Sequence, residues 1–450
     1  MASLDPAQPG FFDDNAIDKE LRRVFQICHG CRLCFSFCPS FPELFARVDE
    51  HIDKDHGEAE ALTRPEMQKV LDLCFQCKLC YVKCPYTPPH EWDVDFPRLV
   101  IRAKAAKARR EGVTMQDRFL GDPDTLGKIG TMLPSLVNWA NGQPFLRVMM
   151  EKTLGVHRER NLPEFQAPRY ASWHEKNAQP TNLDDAGDAA RTVILYGTCV
   201  VNYNDPDVGV AATQVLERNG KRVVHVYESC CGMPSLDGGD LERARAQAAA
   251  NVRLLLPYAK AGLPILVPQP SCGYMMKQEY PLLLGTDDAR AVSAATLDLC
   301  EYLAKLHKAK QLDAKFSVPQ GKVAYHTPCH LRAQNIGTPA ADLMRLIPGT
   351  EVETIEKCSA FDGTWGMKTE YYQLSLKYAG KLNRAITDAE PARVASDCRL
   401  AGLNVEKGIG IRPSHPIQIL RDGYGLPRGY AQSAGKLALA APAPTGESKK

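Results

Sequence analysis

The sequence predicts a protein of mixed α and α/β class, with a helical N-terminal domain followed by a tandem α/β repeat. Two cysteine motifs of identical spacing lie in the first hundred residues, and the segment between them has helical periodicity. From Arg191 onward, short apolar strands alternate with helical segments, which is typical of a parallel sheet with crossover helices. The order of strands, helices and cysteines then repeats once before residue 430.

Length and charge narrow the classes of protein to consider. A chain of 450 residues is long enough for two or three domains, each with its own core. Its 55 lysine and arginine residues nearly balance 53 aspartate and glutamate residues, so the composition indicates no nucleic acid partner. No apolar run approaches the ~18–20 residues that span a bilayer, and we expect any membrane contact to be peripheral or through another subunit.

The N-terminus and the cysteine content together indicate a compartment. The first residues, MASLDPAQPGFFDDN, are acidic and lack the apolar centre of a signal peptide. Sixteen cysteines in a secreted chain would suggest disulfides, whereas here they favour a reducing cytoplasm. We therefore expect a cytoplasmic protein that could lie peripherally at the inner face of the cell membrane. Residues 1–17 are expected to form a flexible arm.

Two matching cysteine runs dominate the first domain, which we place at residues 18–112. Each has the pattern C-x2-C-x2-C-x3-C-P of bacterial ferredoxin-type sites, in which the fourth cysteine of a run ligates the other cluster. One predicted [4Fe–4S] site comprises Cys28, Cys31, Cys34 and Cys84. The other comprises Cys74, Cys77, Cys80 and Cys38. Zinc is the alternative, but a third cysteine at the next x2 position has no use in a tetrahedral site.

The remaining elements of this domain are predicted from local patterns. A helix from Asp18 leads into the first run, and Met67, Val70 and Leu71 fit a helix that leads into Cys74. This helical insertion resembles the α-helical ferredoxin domains of larger redox subunits. The proline-rich segment after the second run should fold back and pack Tyr86, His90 and Trp92 against a cluster. Residues 98–112 form a basic helix, either a solvated face or a docking patch for an acidic partner or anionic headgroups.

Residues 113–190 are predicted to be a helical and irregular linker. Apolar side chains recur at helical spacing near its start, with Pro134 as an interruption. These side chains are Leu126, Ile129, Leu133, Leu136 and Val137. Such a stripe favours packing in the core or between domains over contact with a membrane. At the other end of the chain, residues 431–450 are rich in Ala, Pro and Lys and are expected to be a disordered tail.

The two α/β copies are expected at residues 191–310 and 311–430. In the first copy, strands TVILY, RVVHVY and PILVP each lead to cysteines. In the second, strands KVAYH, EVETI and RVAS do the same at similar intervals. Each copy therefore predicts a βαβαβ unit whose cysteines lie at the carboxyl ends of the strands, where open α/β sheets place their sites.

The motifs of this repeat resemble a known family. The segments GTC, ESCCG and QPSCG, followed by HTPCH, KCSAFDGTWG and SDCRLAG, are similar to the tandem cysteine-rich (CCG) module. That module is shared by iron–sulfur oxidoreductase subunits of the heterodisulfide reductase, glycolate oxidase and anaerobic glycerol-3-phosphate dehydrogenase types. In the order of its motifs, and in their fusion to an N-terminal double cluster motif, the chain resembles the last of these types most. It implies a further iron–sulfur cluster, or a redox site that meets the electron acceptor.

The two copies differ in their thiols. Copy one could hold a third cluster with Cys199, Cys230, Cys231 and Cys272, although Gln269 replaces a further cysteine of the family. Copy two has only Cys329, Cys358 and Cys398. His326 or His330 could complete a ligand set there, but imidazole is also an ordinary hydrogen-bonding group at strand ends. Whether copy two binds a cluster is left open, and Cys300 is expected to be a buried apolar residue.

No glycine-rich nucleotide motif follows a strand, so hydride chemistry is assigned to another subunit. The primary hypothesis is an electron-transfer component that accepts electrons from a flavin-dependent dehydrogenase. Two [4Fe–4S] clusters and the cysteine-rich domain would pass them to a quinone or another acceptor. One alternative is a catalytic heterodisulfide or thiol reductase with Cys230 and Cys231 at the reacting centre. Another is an assembly and membrane-docking module. No residue is predicted to be catalytic in the primary hypothesis.

Overall fold

The computed structural model describes residues 6–55 and 57–430. Residues 1–5 of the expected arm and the whole expected tail, 431–450, lie outside these residues. The N-terminal part is helical, as predicted, and includes helices within the segment between the two cysteine runs. Its helices are Asp14–Cys31, Ser40–Asp55, Arg64–Asp72, Leu79–Lys83 and Phe96–Glu111, with a 3-10 turn at Ala59–Ala61.

Side-chain caps define where these helices begin. The Asp13 carboxylate accepts hydrogen bonds from the backbone N–H groups of Asn15 and Ala16, both at 2.8 Å. Thr63 and Glu66 form a reciprocal capping box before the helix that leads into the second cysteine run. The helices enclose an aromatic and aliphatic core that includes Phe25, Phe41, Phe45, Val70 and Leu99. The two cysteine runs lie at the edge of this core.

The basic helix, Phe96–Glu111, is not a fully solvated face, although Arg109 and Arg110 at its end are exposed. Its first half is buried, and the Arg98 guanidinium lies 2.8 Å from the Asp95 carboxylate and 3.2 Å from that of Glu279. Arg102 donates to the backbone carbonyl of Phe11 at 2.8 Å. The helix therefore joins the N-terminal segment to the first α/β copy through Arg98 and Arg102.

The linker contains six short helices. They are Met115–Leu120, Pro123–Gly130, Pro134–Gly142, Pro144–Leu154, Tyr170–Asn177 and Ala186–Ala189. We refer to Pro134–Gly142 and Pro144–Leu154 as the apolar helix pair. Among the residues that the structure describes, no helix is both long and apolar enough to cross a membrane.

The expectation that the linker stripe packs into the core is wrong for three of its residues. Ile129, Leu133 and Leu136 are 58%, 62% and 56% exposed. For Ile129, the reason is that glycines form the inward face of its helix, Pro123–Gly130: a Cβ at Gly127 would lie 2.2 Å from the Tyr203 ring, and one at Gly130 would lie 2.4 Å from the Phe165 ring. Leu133 is the N-cap of the next helix, Pro134–Gly142, and Leu136 lies within that helix, which has no buried residue.

Seven parallel strands form two sheets, one in each copy. The first sheet contains β1 (Thr192–Tyr196), β2 (Arg222–Val226), β3 (Ile265–Val267) and β4 (Thr296–Asp298), in the order β2-β1-β3-β4. The second contains β5 (Gly321–His326), β6 (Thr350–Ile355) and β7 (Arg393–Ser396), in the order β6-β5-β7. The predicted βαβαβ units are confirmed, because the first three strands of each sheet share one order. Strand β4 is an addition that the sequence did not indicate.

Helices cover both sheets. Those of copy one are Cys199–Tyr203, Pro206–Arg218, Met233–Asp237, Leu241–Lys260, Pro270–Tyr274, Tyr280–Leu284, Asp287–Ala295 and Leu299–Lys308, with a π turn at Met275–Glu279. Those of copy two are Cys329–Arg332, Pro339–Met344, Tyr372–Asp388, Arg399–Ile409 and Pro416–Gly423, with 3-10 turns at Trp365–Met367 and Thr369–Tyr371.

The two copies share one hydrophobic core. It includes Val193 and Leu266 of the first sheet and Tyr325 and Ala395 of the second. Helix Pro206–Arg218 contacts helix Pro416–Gly423 across this core, and an Arg421–Asp207 ion pair of 2.6 Å connects them. Cys300 lies in the same core at 1% exposure, as expected for a thiol with an apolar role. The shared core sets the orientation of the copies relative to each other.

Replacing Glu279 by Ala should lower the free energy of unfolding by about 3 kcal/mol, because it leaves the buried Arg98 with one carboxylate fewer. Urea unfolding followed by circular dichroism measures this change. The matched control is Glu228→Ala, whose half-exposed carboxylate lies 3.7 Å from Arg253 and should contribute less than about 0.5 kcal/mol. Equal effects of the two substitutions would show that the buried pair does not join the domains.

Acid should destabilise the fold through His415, whose imidazole caps helix Pro416–Gly423 and bonds to the Pro268 carbonyl at 2.9 Å. Burial lowers the pKa of His415 to about 4, whereas an imidazole in an unfolded chain has a pKa of about 6.5. Between these values, the unfolded chain binds a proton that the folded chain excludes, so stability is lost as the pH falls. Relative to a His415→Gln variant, the wild-type free energy of unfolding should fall by about 1 kcal/mol from pH 6.5 to 5.5.

The same urea titration at several pH values measures this difference. The matched control is His307→Gln, at an exposed position of helix Leu299–Lys308, which should follow the wild-type curve. Parallel pH dependence of wild type and His415→Gln would contradict the assignment.

Candidate metal centre

The structure brings together the first predicted quartet. Cys28 and Cys31 lie in the last turn of helix Asp14–Cys31, and Cys84 follows helix Leu79–Lys83. The helix ends because Arg32 adopts a left-handed conformation (φ 54°), which carries the chain on to Cys34. All four thiols line one small cavity, together with Tyr86. Within this quartet Cys31 is exposed, and the other three are half-buried.

The second predicted quartet is also brought together, and it is fully buried. Cys77 lies between two non-glycine residues with positive φ, Gln76 (55°) and Lys78 (62°), in the loop after helix Arg64–Asp72. Cys38 arrives from the other run, and burial together with the nearby Cys74 and Cys77 raises its pKa well above the usual range. The fourth cysteine of each run thus lies with the first three of the other.

The electrostatics of both quartets suit a metal rather than free thiolates. Burial and then the neighbouring Cys84 and Cys31 raise the pKa of Cys34 to about 12. Burial, followed by Cys77, Cys74, Cys38 and Cys34, raises the pKa of Cys80 well above normal. All sixteen cysteines lie in the described residues and none forms a disulfide. Crowded, buried thiols without disulfides fit an iron–sulfur group, whose positive metal ions would offset several thiolate charges.

Copy one contributes a third group of thiols. Cys199 begins the short helix after β1, Cys230 and Cys231 follow β2, and Cys272 follows β3. Hydrogen bonds from Cys199 and Cys231 lower the pKa of Cys230 well below its usual value. Interaction with Cys230, and then with Cys272, raises the pKa of Cys231. The four buried thiols are therefore mutual neighbours at the carboxyl edge of the first sheet.

Copy two brings its three thiols to the same place. Cys329, Cys358 and Cys398 line a cavity of about 110 Å³ together with the four thiols of copy one. Burial raises the pKa of Cys398 to about 11, with smaller contributions from Asp397 and then Cys272 of the first copy. The carboxyl edges of the two sheets therefore face each other across one cavity.

The same cavity reaches the second quartet. Cys77 lines it. Burial has the largest effect in raising the pKa of Cys329, and the neighbouring Cys77 has the next largest. Cys34 of the first quartet in turn contributes to the raised pKa of Cys80. Neighbouring thiols thus form a continuous series from the exposed Cys31 to the cavity between the copies.

The two histidines beside Cys329 are hydrogen-bonding groups. His326 contacts the Ser396 hydroxyl at 3.0 Å and the Lys357 carbonyl at 3.1 Å through its two ring nitrogens. His330 contacts the Ser271 hydroxyl at 2.8 Å and the Gln76 carbonyl at 3.1 Å. Both nitrogens of each ring already have protein partners, so neither imidazole is presented as a metal ligand.

His330 has a role that the sequence did not reveal. Its two hydrogen bonds join the loop of the second quartet to copy one, while the residue itself belongs to copy two. Its ring stacks on Tyr274 with centroids 5.3 Å apart. The motif HTPCH marks the position, but only tertiary contacts show that three parts of the chain meet there.

Charged residues beside the thiols were also missed. The Asp124 carboxylate accepts a hydrogen bond from the Cys230 backbone N–H at 2.6 Å, although Asp124 belongs to the linker. Asp237 and Asp362 line the central cavity, and burial raises the pKa of Asp237 to about 6. The buried Lys78 ammonium lies 4.0 Å from the Asp237 carboxylate. No sequence pattern links these residues, which come from four different segments.

Of the three residues after the second run that were expected to pack against a cluster, Tyr86 borders the first quartet. His90 and Trp92 do not line that cavity; they pack on Tyr86 and on each other, with ring centroids 4.6–5.2 Å apart. Trp92 remains 42% exposed, and Leu33 and Phe35 are 54% and 57% exposed. An apolar rim therefore belongs to the segments that carry the exposed Cys31.

Comparison with protein families supports this division of the chain. Residues 21–110 match the Fer4-like domain of citrate utilization protein B. Residues 193–277 and 323–405 each match the cysteine-rich domain called CCG. Together these matches cover more than half of the 450 residues, and they coincide with the helical part and the two sheets.

Curated relatives share these features at moderate identity. The chain is 29% identical to a subunit of the anaerobic glycerol-3-phosphate dehydrogenase of Escherichia coli K12, over 73% of this chain and 82% of the relative. It is 28% identical to lactate utilization protein A of Geobacillus kaustophilus, over 51% of this chain and 98% of that protein. It is 29% identical to a subunit of the fumarate reductase (CoM/CoB) of Methanothermobacter marburgensis, over 48% of this chain and 42% of that subunit. The chain thus belongs to the iron–sulfur oxidoreductase family in which a Fer4-like domain precedes a tandem cysteine-rich (CCG) domain.

Proposed function

We propose that this protein is an electron-transfer component that connects a flavin-dependent dehydrogenase to a quinone or another acceptor. The observation that carries the proposal is the continuous series of thiols from Cys31 at the surface to the cavity between the two copies. Iron–sulfur clusters bound there would supply one-electron redox chemistry. The chain's own contribution is to hold their ligands close together and to keep most of them from water.

The proposed ligands follow the groups that the fold assembles. Cys28, Cys31, Cys34 and Cys84 would hold one [4Fe–4S] cluster. Cys74, Cys77, Cys80 and Cys38 would hold the other. Cys199, Cys230, Cys231 and Cys272 would hold a third cluster. The thiols of copy two border this third site but lack a fourth protein ligand, since both nearby imidazoles are engaged elsewhere.

The electron donor would dock beside Cys31. Electron transfer weakens steeply with distance, so a partner must approach a site that is near the surface, and the first quartet alone presents an exposed thiol among the described residues. The exposed Leu33, Phe35 and Trp92 offer apolar contact area for such a partner. The names of two relatives refer to glycerol-3-phosphate dehydrogenase and to lactate utilization, which supports a dehydrogenase of a hydroxylated substrate as the donor.

A second candidate function is reduction of a heterodisulfide or thiol substrate within the central cavity. The observation that favours it is that the thiols of both copies face a single cavity. One relative is a subunit of an enzyme named fumarate reductase (CoM/CoB). The lack of a fourth cysteine in copy two makes the two halves unequal, which favours the relay over this reaction.

Iron and sulfide counting with EPR tests the cluster assignments. The anaerobically purified chain should contain at least about eight irons. Cys38→Ser should remove the signal of the buried site and Cys84→Ser that of the exposed site, because each residue lies with the opposite run. Cys300→Ala is the matched control, since its buried thiol lies in the α/β core and should leave both signals intact. Fewer than about eight irons after reconstitution would refute the two-cluster assignment.

The same preparation distinguishes the two functions. Reduced protein that is reoxidised by a water-soluble quinone but not by a disulfide supports the relay. Turnover of a disulfide with an artificial donor and the isolated chain supports the alternative. Electron transfer that persists in a Cys230→Ser, Cys231→Ser double variant would exclude the copy-one thiols from both functions.

We place a peripheral membrane contact at the apolar helix pair. Large apolar side chains there are exposed, including Trp139 (60%), Phe145 (73%) and Met149 (47%), and Met132 just before it is 78% exposed. Between residues 129 and 150 the only charged residue is Arg147, which is buried. An apolar surface whose exposed charge is confined to the end of the pair, at Lys152, suits the boundary between headgroups and acyl chains, where aromatic side chains are favoured.

A Leu136→Ser, Trp139→Ser, Phe145→Ser variant should bind vesicles of phosphatidylglycerol and phosphatidylethanolamine at least tenfold more weakly than wild type. Each apolar side chain that is fully buried in the membrane contributes on the order of 1.5–3 kcal/mol to the binding free energy. Even partial insertion of the three side chains would therefore account for a tenfold difference in affinity. Vesicle co-sedimentation measures the affinity. A Val318→Ser, Ile411→Ser control removes exposed apolar side chains elsewhere and should bind like wild type. Wild-type protein that stays in the supernatant would refute the membrane contact.

A further inference from the structure

A further cavity lies behind the apolar helix pair, and no cysteine lines it. Its volume is about 640 Å³, and it is bordered by the helix pair, by residues 158–164 and by helix Arg399–Ile409. Side chains that reach it include Arg147, Arg158, Arg160 and Arg399. The lining also contains three carboxylates, Glu159, Glu164 and Glu406, which leave one positive charge in excess, so the partners of each arginine decide whether an anion can bind.

Arg147 organises one wall of this cavity. It is 5% exposed, and its guanidinium donates to three backbone carbonyls: Arg158 at 3.0 Å, His157 at 2.7 Å and Arg160 at 2.8 Å. These bonds hold the segment 157–160 in a fixed shape against the helix pair. Within residues 6–55 and 57–430, no carboxylate forms an ion pair with Arg147.

Arg160 is the most buried of the four, at 2% exposure. It donates to the Asn404 amide oxygen and, at 3.2 Å, to the Ser375 hydroxyl, and it stacks on Tyr372 with its guanidinium carbon 4.6 Å from the ring centre. Its Nε is buried and has no hydrogen-bond partner. Burial lowers the pKa of Arg160 to about 10, and within the described part of the chain no carboxylate pairs with it.

Two of the three carboxylates that border the cavity have direct partners other than Arg147 and Arg160. Glu406 lies 3.2 Å from Arg399, and Glu159 accepts a hydrogen bond of 3.5 Å from the Tyr372 hydroxyl. Glu164 is one of the carboxylates that raise the pKa of Arg412 against the opposing effect of burial.

One carboxylate outside the cavity lining acts on Arg147 from a distance. Glu151 pairs with Arg158, and its charge opposes the larger effect of burial, which lowers the pKa of Arg147. Its carboxylate is already held by Arg158, so Arg147 and Arg160 both lack a directly bonded anion in the described part of the chain.

A buried guanidinium without a counter-charge is costly, and an oxyanion ligand removes that cost. Guanidinium groups bind phosphate through several charge-assisted hydrogen bonds, and Asn141 and Asn161 add amide-bearing side chains to the lining. We infer that this cavity binds a phosphate group, either as a free phosphate or phosphate ester or as the headgroup of a lipid in contact with the apolar helix pair. The inference does not depend on the electron-transfer role, since none of these residues belongs to a cysteine group.

The position of the cavity suggests how a ligand would affect the protein. Asn141 and Arg147 belong to the apolar helix pair, whereas Arg399 begins a helix whose N-cap is Cys398. A phosphate bound between them would connect the proposed membrane-contacting surface to the edge of the central thiol cavity. Arg399 is 8% exposed, so the ligand would reach into the protein rather than rest on its surface.

Isothermal titration calorimetry of the full-length holoprotein with inorganic phosphate, in a phosphate-free buffer, tests the site. Asn141→Asp places a negative charge in the cavity without removing a buried guanidinium, and it should weaken phosphate binding by about tenfold, equivalent to 1.4 kcal/mol. Arg160→Gln should weaken it at least as much. Asn177→Asp, at an exposed position of helix Tyr170–Asn177, is the matched control and should bind like wild type. Circular dichroism and iron content establish that each variant is folded.

Two further arms identify the source of the phosphate. If vesicles containing phosphatidic acid bind more tightly than phosphatidylcholine vesicles, and Asn141→Asp removes the difference, the ligand is a lipid headgroup. If inorganic phosphate or glycerol phosphate binds but vesicle composition has no effect, the ligand is a free phosphate. Absence of saturable phosphate binding, binding that neither variant weakens, or equal affinity for acetate would each overturn the inference.

Discussion

The crossing of the two cysteine runs is the constraint on which the N-terminal half depends. Each fourth cysteine must reach the first three of the other run, across an intervening segment that runs from residue 39 to 73. The helices Ser40–Asp55 and Arg64–Asp72 of that segment return the chain and bury Phe41, Phe45 and Val70 in the process. The core of this domain is therefore also the support of its thiols, since Cys38 and Cys74 belong to the same buried cluster.

The second constraint is the way in which the helical domain is attached to the α/β copies. Buried charged and polar groups make this contact: Arg98 pairs with Glu279 of copy one, and His330 of copy two bonds to the Gln76 carbonyl. Such contacts require well-defined geometry, because a buried polar group that misses its partner costs more than an apolar one. They place Cys77 in the lining of the cavity between the copies.

The copies themselves illustrate how a repeat can keep its fold and differ in its chemistry. Both place three strands in the same order and end them with cysteines, and one core serves both. The first copy has four mutually adjacent thiols, whereas Ser359 and Ala360 follow Cys358 in the second. The second copy keeps the strand order of the first although it has fewer thiols.

Local pattern determined much of this protein. Cysteine spacing predicted two quartets that the fold brings together, and strand periodicity predicted both βαβαβ units, because ligand spacing and alternation of apolar residues are properties of neighbouring residues. Tertiary structure alone decided the rest. Ile129 faces outward because Gly127 and Gly130 of the same helix pack inward against Tyr203 and Phe165, and Arg147 and Arg160 meet around one cavity because separate segments converge there. Periodicity identifies an apolar face or a charged residue, but which of them is buried, and beside what, depends on contacts between residues far apart in the chain.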